Sequence, residues 1–400
     1  MNLKAIFIAS LGGFQFGFNT AVISGAILFF IKEFPMSKAF EGFAISIILI
    51  GALLGASFAG KIANTWGRKK AFFVAGILFI LGTLFIFFSK GSHEFIVGRF
   101  IQGLGVGLVS VICPMYLAEI APVHKRGFYV SFNQFAVVVG ILFAYIVNYI
   151  FAQAGSWRIM FGVALIPALL QIFGLFFIPE SSVWKGPHHV QEPKFRMKEL
   201  FANLNKKLLI IGVLLSIFQQ ITGLNAVFYF APQIFESAGF GTAEGAIFAT
   251  LGIGVINMLA TIIVLMIIDK VGRRSLLLIG LAGMAISLFV LALGFFVKFS
   301  FVHILSVICL MSYIGFAAIS IAPVVWLIIA EIYPSRTRAH AMSVATCANW
   351  LSNYLVALTF LLLVEYLSIS GTFALFGLLS IIAFLFCLKW VPETKGTTLS

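Results

Sequence analysis

Twelve apolar stretches, separated by short polar gaps, account for nearly the whole chain. A helix needs about 20 mostly apolar residues to cross a bilayer, and these stretches have roughly that length. They lack the strict alternation of apolar and polar positions that marks the strands of an outer-membrane barrel, so we predict that all of them are α-helices. The predicted spans cover residues 5–30, 42–62, 71–88, 95–118, 127–151, 157–178, 208–231, 245–268, 275–297, 303–330, 340–364 and 371–390.

Charged motifs in the gaps repeat between the first six and the last six predicted spans. Arg68 follows span 2 in the motif Asn-Thr-Trp-Gly-Arg-Lys, and Arg273 follows span 8 in the motif Asp-Lys-Val-Gly-Arg-Arg. Glu119 ends span 4 and Glu331 ends span 10, and each precedes an arginine by seven residues. Two halves that repeat in parallel are typical of transporters whose substrate binds near the middle of the membrane, between the halves.

We therefore expect an all-α membrane protein with two six-helix bundles and a short polar linker between them. The predicted boundaries are 1–178 for the N-terminal bundle, 179–207 for the linker, 208–391 for the C-terminal bundle and 392–400 for a cytoplasmic tail.

Composition and charge narrow the class of protein further. Apolar residues make up 62% of the chain and charged residues only 10%, which excludes a soluble enzyme. The net charge is +13, and an N-terminus inside the cell places 20 basic residues on the cytoplasmic side against 5 outside. This bias predicts that both termini are cytoplasmic, in what we expect to be a bacterial inner membrane, and it explains the positive charge without a nucleic-acid partner.

Polar side chains inside the predicted spans are candidates for substrate binding, because an amide in lipid is costly unless it meets a partner or a cavity. Amides donate and accept hydrogen bonds, which suits a neutral ligand rich in hydroxyl groups, and a Trp ring can stack on a sugar face. The alternatives are interhelical hydrogen bonds for the amides and an interfacial position for the Trp. The candidates are Gln134, Gln219, Gln220, Asn225, Asn257, Trp326, Asn349 and Asn353.

A second set of candidates lies at the cytoplasmic ends of the helices. Charge-assisted Glu–Arg pairs there can hold neighbouring helix ends together, and breaking them would let the two halves separate on that side. The alternative is that these charges only mark topology and extend to the interface. The set comprises Arg68, Glu119 and Arg126 in the first half, and Asp269, Arg273, Glu331 and Arg338 in the second.

The predicted membrane core contains no carboxylate. All 13 acidic residues fall in loops or at helix ends, and Arg99 is the one charge that we place inside the membrane, on the outer part of span 4, where it could extend to the outer interface. Asn19 in span 1 cannot titrate. The chain has no Walker A motif and no cluster typical of a metal or catalytic site, so we expect no metal, no cofactor and no enzymatic activity.

Several motifs together resemble the sugar porter family of the major facilitator superfamily, over nearly the whole chain. The paired glutamine motif and the Pro-Glu-Thr-Lys-Gly ending are the most specific of them. The motifs are Gly17-Phe18-Asn19-Thr20, Gly67-Arg68-Lys69, Gly98-Arg99, Pro114-Met-Tyr-Leu-Ala-Glu119, Pro179-Glu180-Ser181, Gln219-Gln220-x-Thr-Gly-x-Asn225, Asp269-x-x-Gly-Arg-Arg274 and Pro392-Glu393-Thr394-Lys395-Gly396.

The resemblance implies a twelve-helix fold that works by alternating access of its two halves. It implies that the eight polar candidates above contact the sugar, that Tyr229 is an outer-gate aromatic and that the seven charged residues form a cytoplasmic salt-bridge network. It also implies a monosaccharide substrate and a lipid bilayer as partners, with no obligate protein partner.

Two positions depart from the proton-coupled members of that family, and the intracellular helical domain is shorter than in the family as a whole. Asn19 stands where those members carry Asp, although Arg99 keeps the position of its partner arginine. Ala164 stands where at least one proton-coupled member carries Glu, and the intracellular helical domain is reduced to the stretch 181–207.

The sequence therefore favours facilitated diffusion (uniport) of a hexose or a pentose. Proton–sugar symport stays open as an alternative, which would add protons as a partner. A sugar sensor that binds without transport is a second alternative, although the short cytoplasmic segments offer little output surface.

Overall fold

The computed structural model describes residues 3–122, 126–181, 184, 203–333 and 338–395, and its regular elements there are all helical. The helices of the first half are α1 (Leu3–Ala21), α2 (Ile23–Glu33), α3 (Lys38–Trp66), α4 (Arg68–Phe87), α5 (Ser92–Ile120), α6 (Arg126–Ala152), α7 (Trp157–Gly162) and α8 (Leu165–Gly174), followed by a 3₁₀ turn at Leu175–Phe177. Those of the second half are α9 (Asn203–Ile221), α10 (Leu224–Ser237), α11 (Ala243–Val271), α12 (Arg273–Val297), α13 (Val302–Ile319), α14 (Ile321–Ile332) and α15 (Arg338–Trp390).

The described helices confirm a multi-pass membrane protein. Ten helical segments in the described ranges are long and apolar enough to cross a membrane, and the bent pair α1–α2 makes an eleventh. α15 has 53 residues, roughly 80 Å of helix, and Ser368 interrupts it with non-helical angles (φ 64°, ψ 168°). Because a bilayer core is about 30 Å thick, α15 supplies two spans, and the described chain accounts for the twelve predicted.

The chain divides into two compact units, Met1–Gln191 and Glu192–Ser400. In the first unit α1 packs on α6, α3 on α5, and α4 on both α5 and α8. In the second unit α9 packs on the long helix α15, α11 on α13, and α12 on both α13 and α15. The helix pairs thus follow the same order of spans in both units, as the repeated motifs predict. The finer boundaries of linker and tail stay predictions.

Glycines let α3 and α5 approach closely in the first unit. A Cβ atom on Gly103 would lie 2.2 Å from the carbonyl oxygen of Ile48, and one on Gly107 would lie 2.1 Å from that of Ala52. Only glycine fits these crossings, so Gly103 and Gly107 serve the close packing of α5 on α3.

Three spans are broken near their middles, and these breaks place backbone groups where a ligand or a side chain can reach them. Span 1 bends by 41° between α1 and α2. Span 7 breaks at Gly223, whose φ of +94° and whose contact with the Phe376 ring leave no room for a Cβ atom. Span 10 breaks at Ser320 (φ −129°, ψ −97°). α10 continues through Pro232, so span 7 has no break at that proline.

Candidate functional site

Four of the predicted substrate residues form one hydrogen-bonded cluster in the second unit. Asn349 donates through Nδ2 to Gln219 Oε1 at 2.7 Å and to the Ser216 carbonyl at 3.0 Å. Gln220 donates to Asn349 Oδ1 at 3.1 Å and accepts from Asn225 Nδ2 at 2.8 Å. The cluster therefore joins α9, α10 and α15, and the break between α9 and α10 is what brings Asn225 back toward Gln220.

Gln219 also fastens this cluster to α14. Its Nε2 atom donates to the carbonyl of Ile321 at 2.8 Å and to that of Ala322 at 3.0 Å. Both carbonyls directly follow the break at Ser320. Because the side chain of Gln219 is 3% exposed and bonded at both of its polar atoms, a ligand that binds it must exchange a hydrogen bond with the protein.

Tyr229, the predicted outer-gate residue, contacts another of the candidates. Asn353 donates through Nδ2 to the Tyr229 hydroxyl at 3.2 Å. The Oδ1 atom of Asn353 is buried and has no hydrogen-bond partner in the described part of the chain. This contact ties α10 to α15 beside the amide cluster.

The remaining candidates lie outside these contacts. Asn257 is 5% exposed on α11, and Trp326 is 36% exposed on α14. Gln134 is exposed on α6, in the first unit. The second unit thus presents buried amides that can donate and accept, together with a partly accessible indole ring, which is a combination suited to a neutral polyhydroxy ligand.

Arg68 and Glu119 form a two-pronged ion pair in the first unit. The distances are 3.0 Å from Nε to Oε2 and 2.7 Å from Nη2 to Oε1. Arg68 also donates through Nη1 to the carbonyl of Ala63, in the last turn of α3, at 2.9 Å. The start of α4 is thereby held to the ends of α3 and α5.

Arg273 and Glu331 occupy the same positions in the second unit. Arg273 Nη2 lies 3.3 Å from Glu331 Oε1, and Nη1 donates to the Ile268 carbonyl at 3.2 Å. The hydroxyl of Thr394 donates to the other oxygen of Glu331. The side chains of Arg126, Asp269 and Arg338 lie outside the described residues, so their part in the network stays a prediction.

Two glutamates at these helix ends were missed by the sequence reasoning. Glu180 accepts hydrogen bonds from the backbone N–H groups of Arg68 and Lys69, at 3.0 and 3.1 Å. Glu393 accepts from those of Arg273 and Arg274, at 2.9 and 3.1 Å. Each carboxylate thus caps the N-terminus of a helix, where unpaired N–H groups and the helix dipole favour an anion. The signal in the sequence is the pair of motifs Pro-Glu-Ser at 179–181 and Pro-Glu-Thr at 392–394.

The capping contacts perturb the titration of Glu393. Burial acts to raise its pKa, but backbone N–H groups of Lys395, Arg273, Arg274 and Thr394 donate to its carboxylate and together hold the pKa below its ordinary value of 4.5. Glu393 is therefore ionised at neutral pH, as the caps require.

Asn19 and Arg99 meet in the interior of the first unit. Arg99 donates through Nη1 to the backbone carbonyl of Asn19 at 2.6 Å, while the Asn19 amide donates to the carbonyl of Gln15 at 2.9 Å. Arg99 is fully buried. Our expectation that this side chain extends to the outer interface is wrong, because the side chain is fully buried and donates to a carbonyl in the last turn of α1 inside the bundle.

Within the described ranges, no three His, Cys, Asp or Glu side chains are grouped so that they could hold a metal ion. The geometry above consists of hydrogen-bonding amides and ion pairs, and the amides can donate to and accept from a neutral polar ligand.

Comparisons with known proteins agree with this description. The family profile described as "Sugar (and other) transporter" matches residues 5–189 and 185–400. The glucose transporter GlcP of Staphylococcus epidermidis is 35% identical, over 100% of this chain and 96% of its own. The D-xylose-proton symporter of Escherichia coli K12 is 34% identical, over 98% of this chain and 93% of its own.

The solved structure of the xylose transporter XylE from E. coli in an inward-open conformation is also similar, with a TM-score of 0.85 and 33% identity, covering 98% of this chain and 97% of that one. Profile, sequence and fold thus agree over the full length, and the chain belongs to the sugar transporter family of the major facilitator superfamily.

Proposed function

We propose that this protein carries a monosaccharide across the membrane by facilitated diffusion, through alternating access of its two units. The observation that carries the proposal is the buried amide cluster of Gln219, Gln220, Asn225 and Asn349, in a chain of this family. Amides in fixed orientations can replace the water around several sugar hydroxyls at once, which is how neutral polyols are recognised.

The substrate site extends, in this proposal, beyond the cluster itself. Asn353, with its unused oxygen, supplies a further contact, as do Asn257, Trp326 and Gln134, and the Tyr229 hydroxyl forms part of the outer gate. Relatives named as glucose and xylose transporters both align along the whole chain, so hexoses and pentoses are both candidate substrates.

Uniport is favoured over symport by the chemistry around Arg99. A proton-coupled carrier needs a group that gains and loses a proton inside the membrane. Position 19 carries an amide, and the contact of Arg99 with this residue goes to a backbone carbonyl. Proton-coupled symport remains the second candidate, since one of the similar proteins is a D-xylose-proton symporter.

The arrangement in the cell follows from the charge bias. We propose a multi-pass protein of a bacterial inner membrane with both termini in the cytoplasm, so that the two capped, ion-paired helix ends face the cytoplasm. Separation of these ends during the cycle would then open the inner side of the carrier.

Counterflow in proteoliposomes that contain only this protein tests the function. Vesicles loaded with an unlabelled sugar should accumulate the labelled sugar transiently, and a panel of hexoses and pentoses identifies the substrate. An imposed pH gradient should not drive net accumulation. Accumulation driven by that gradient would establish symport instead, and binding without any exchange flux would establish a sensor.

A further inference from the structure

Besides Asn19 on α1, Arg99 contacts Gln102 on its own helix, α5. The sequence reasoning did not select Gln102. The Nη1 atom of Arg99 lies 3.3 Å from Gln102 Oε1, and Gln102 donates through Nε2 to the Thr83 hydroxyl at 3.0 Å. Arg99, Gln102 and Thr83 are all fully buried. A row of hydrogen bonds therefore runs from α4 through the Gln102 amide and the guanidinium to Asn19 on α1.

The guanidinium of Arg99 contacts span 1 directly before the bend of that span. Asn19 lies in the last turn of α1, directly before the 41° bend to α2. Carbonyls in the last turn of a helix lose their intrahelical partners, and a cation there meets the negative end of the helix dipole. Arg99 thus stabilises the end of α1 in the bent form of the span.

Gln102 can hold Arg99 in this position because its own amide is oriented. An unrestrained amide could turn its NH₂ group toward the cation, which would repel it. In the structure Nε2 donates to the Thr83 hydroxyl, while Oε1 of the same amide accepts from Arg99. The close crossing of α4 and α5 permits this contact, since a Cβ atom on Gly82 would lie 2.7 Å from both the Gly98 carbonyl and Gln102 Cγ.

We propose that Gln102, oriented by Thr83, is a positioning residue that directs Arg99 to the bend of span 1 and thereby sets the rate of the transport cycle. The inference rests on the proposed transport function. The amide cluster lies on α9, α10 and α15, in the other unit, so Gln102 should affect the rate at which the carrier changes state and not the affinity for sugar.

The test compares Gln102→Leu, which removes both hydrogen bonds, with Thr83→Val, which removes only the orienting one. Concentration dependence of equilibrium exchange, normalised to correctly folded protein, separates KM from maximal rate. We expect Gln102→Leu to lower the maximal rate about tenfold with KM changed less than about twofold, and Thr83→Val to lower it about threefold. Thr359→Val is the matched control, because that hydroxyl bonds the Leu355 carbonyl of its own helix, and it should leave the rate unchanged.

Gln102→Glu provides a rescue, since its carboxylate still accepts from Arg99. It should recover most of the rate lost in Gln102→Leu. Wild-type rates in Gln102→Leu, a changed KM at constant maximal rate, or a Gln102→Glu variant as slow as Gln102→Leu would each overturn the inference. If Gln102→Leu does not insert, Thr83→Val and Gln102→Glu decide it, and absence of sugar exchange by the wild-type protein would overturn the proposed function instead.

Discussion

Arg68 binds Glu119 through two parallel hydrogen bonds of 3.0 and 2.7 Å, a planar fork that fixes the angle between the start of α4 and the end of α5. The equivalent pair in the second unit, Arg273 and Glu331, has a longer contact of 3.3 Å. The two repeats therefore share the residues of the ion pair and differ in its geometry, and the first unit holds the stronger contact.

This difference predicts different coupling energies. A double-mutant cycle of Arg68→Ala with Glu119→Ala should give a coupling of about 1–3 kcal/mol in the free energy of unfolding, because the pair is largely buried and bidentate. The cycle of Arg273→Ala with Glu331→Ala should give less. Thermal or denaturant unfolding in lipid nanodiscs measures both, and equal couplings or the reverse order would contradict the geometry.

The amide cluster predicts loss of transport on truncation. Gln219→Ala removes the contacts to Asn349 and to the first turn of α14, and Trp326→Ala removes the accessible ring. Both variants should insert normally and lose at least about tenfold in sugar exchange. Gln153→Ala, at an exposed position just after the end of α6, serves as the control. Near-normal uptake by Gln219→Ala would show that the substrate binds elsewhere.

The residue at position 19 predicts how proton coupling of sugar transport can be introduced. Asn19→Asp places a carboxylate on the residue whose carbonyl already accepts from Arg99. Such a group can take up and release a proton, so sugar exchange by the variant should depend on pH where that of the wild-type protein does not. Asn19→Ser is the control, because it removes the amide without adding a titratable group. Identical pH profiles for Asn19→Asp and Asn19→Ser would refute the proposed role of this position.

The capping of α12 by Glu393 predicts that the folded protein loses stability in acid. The folded pKa of Glu393 is lowered from 4.5, so its stabilising effect is complete above about pH 5 and disappears as the pH falls through the lower folded value. Glu393→Gln should unfold at a lower temperature than wild type at pH 7, and the difference should shrink as the pH falls below 4.5. A difference that stays constant between these pH values would mean that the carboxylate charge does not matter.

The glycine before each capped helix predicts that a side chain at that position destabilises the folded protein. Gly67 has a φ of +93°, and a Cβ atom there would lie 2.6 Å from Glu180 Oε2. Gly67→Ala should therefore cost about 1–2 kcal/mol in the free energy of unfolding. Gly60→Ala is the matched control, because a Cβ atom there meets nothing within 4 Å, and inside a helix it should be neutral or slightly stabilising. Equal effects of the two changes would show that the turn tolerates a side chain.

The membrane helices, the twofold repeat and the polar residue types of the candidate site can be predicted from local patterns in the chain. Hydrophobic length is a local property of about 20 consecutive residues, so it can be read without knowing the fold. The repeated charged motifs are likewise local, and they placed Arg68, Glu119, Arg273 and Glu331 among the candidates for ion pairs at the helix ends.

The groups that these residues contact follow from the packing of the helices and could not be predicted from local patterns. Gln219 bonds a carbonyl 102 residues away in α14, and Glu180 caps a helix that begins 112 residues earlier. From the sequence, Arg99 was expected to reach the interface. In the structure it donates to the Asn19 carbonyl in the last turn of α1, inside the bundle. Hydropathy assigns each residue a cost of burial, but the partner that offsets this cost comes from another helix, and helix packing alone brings the two together.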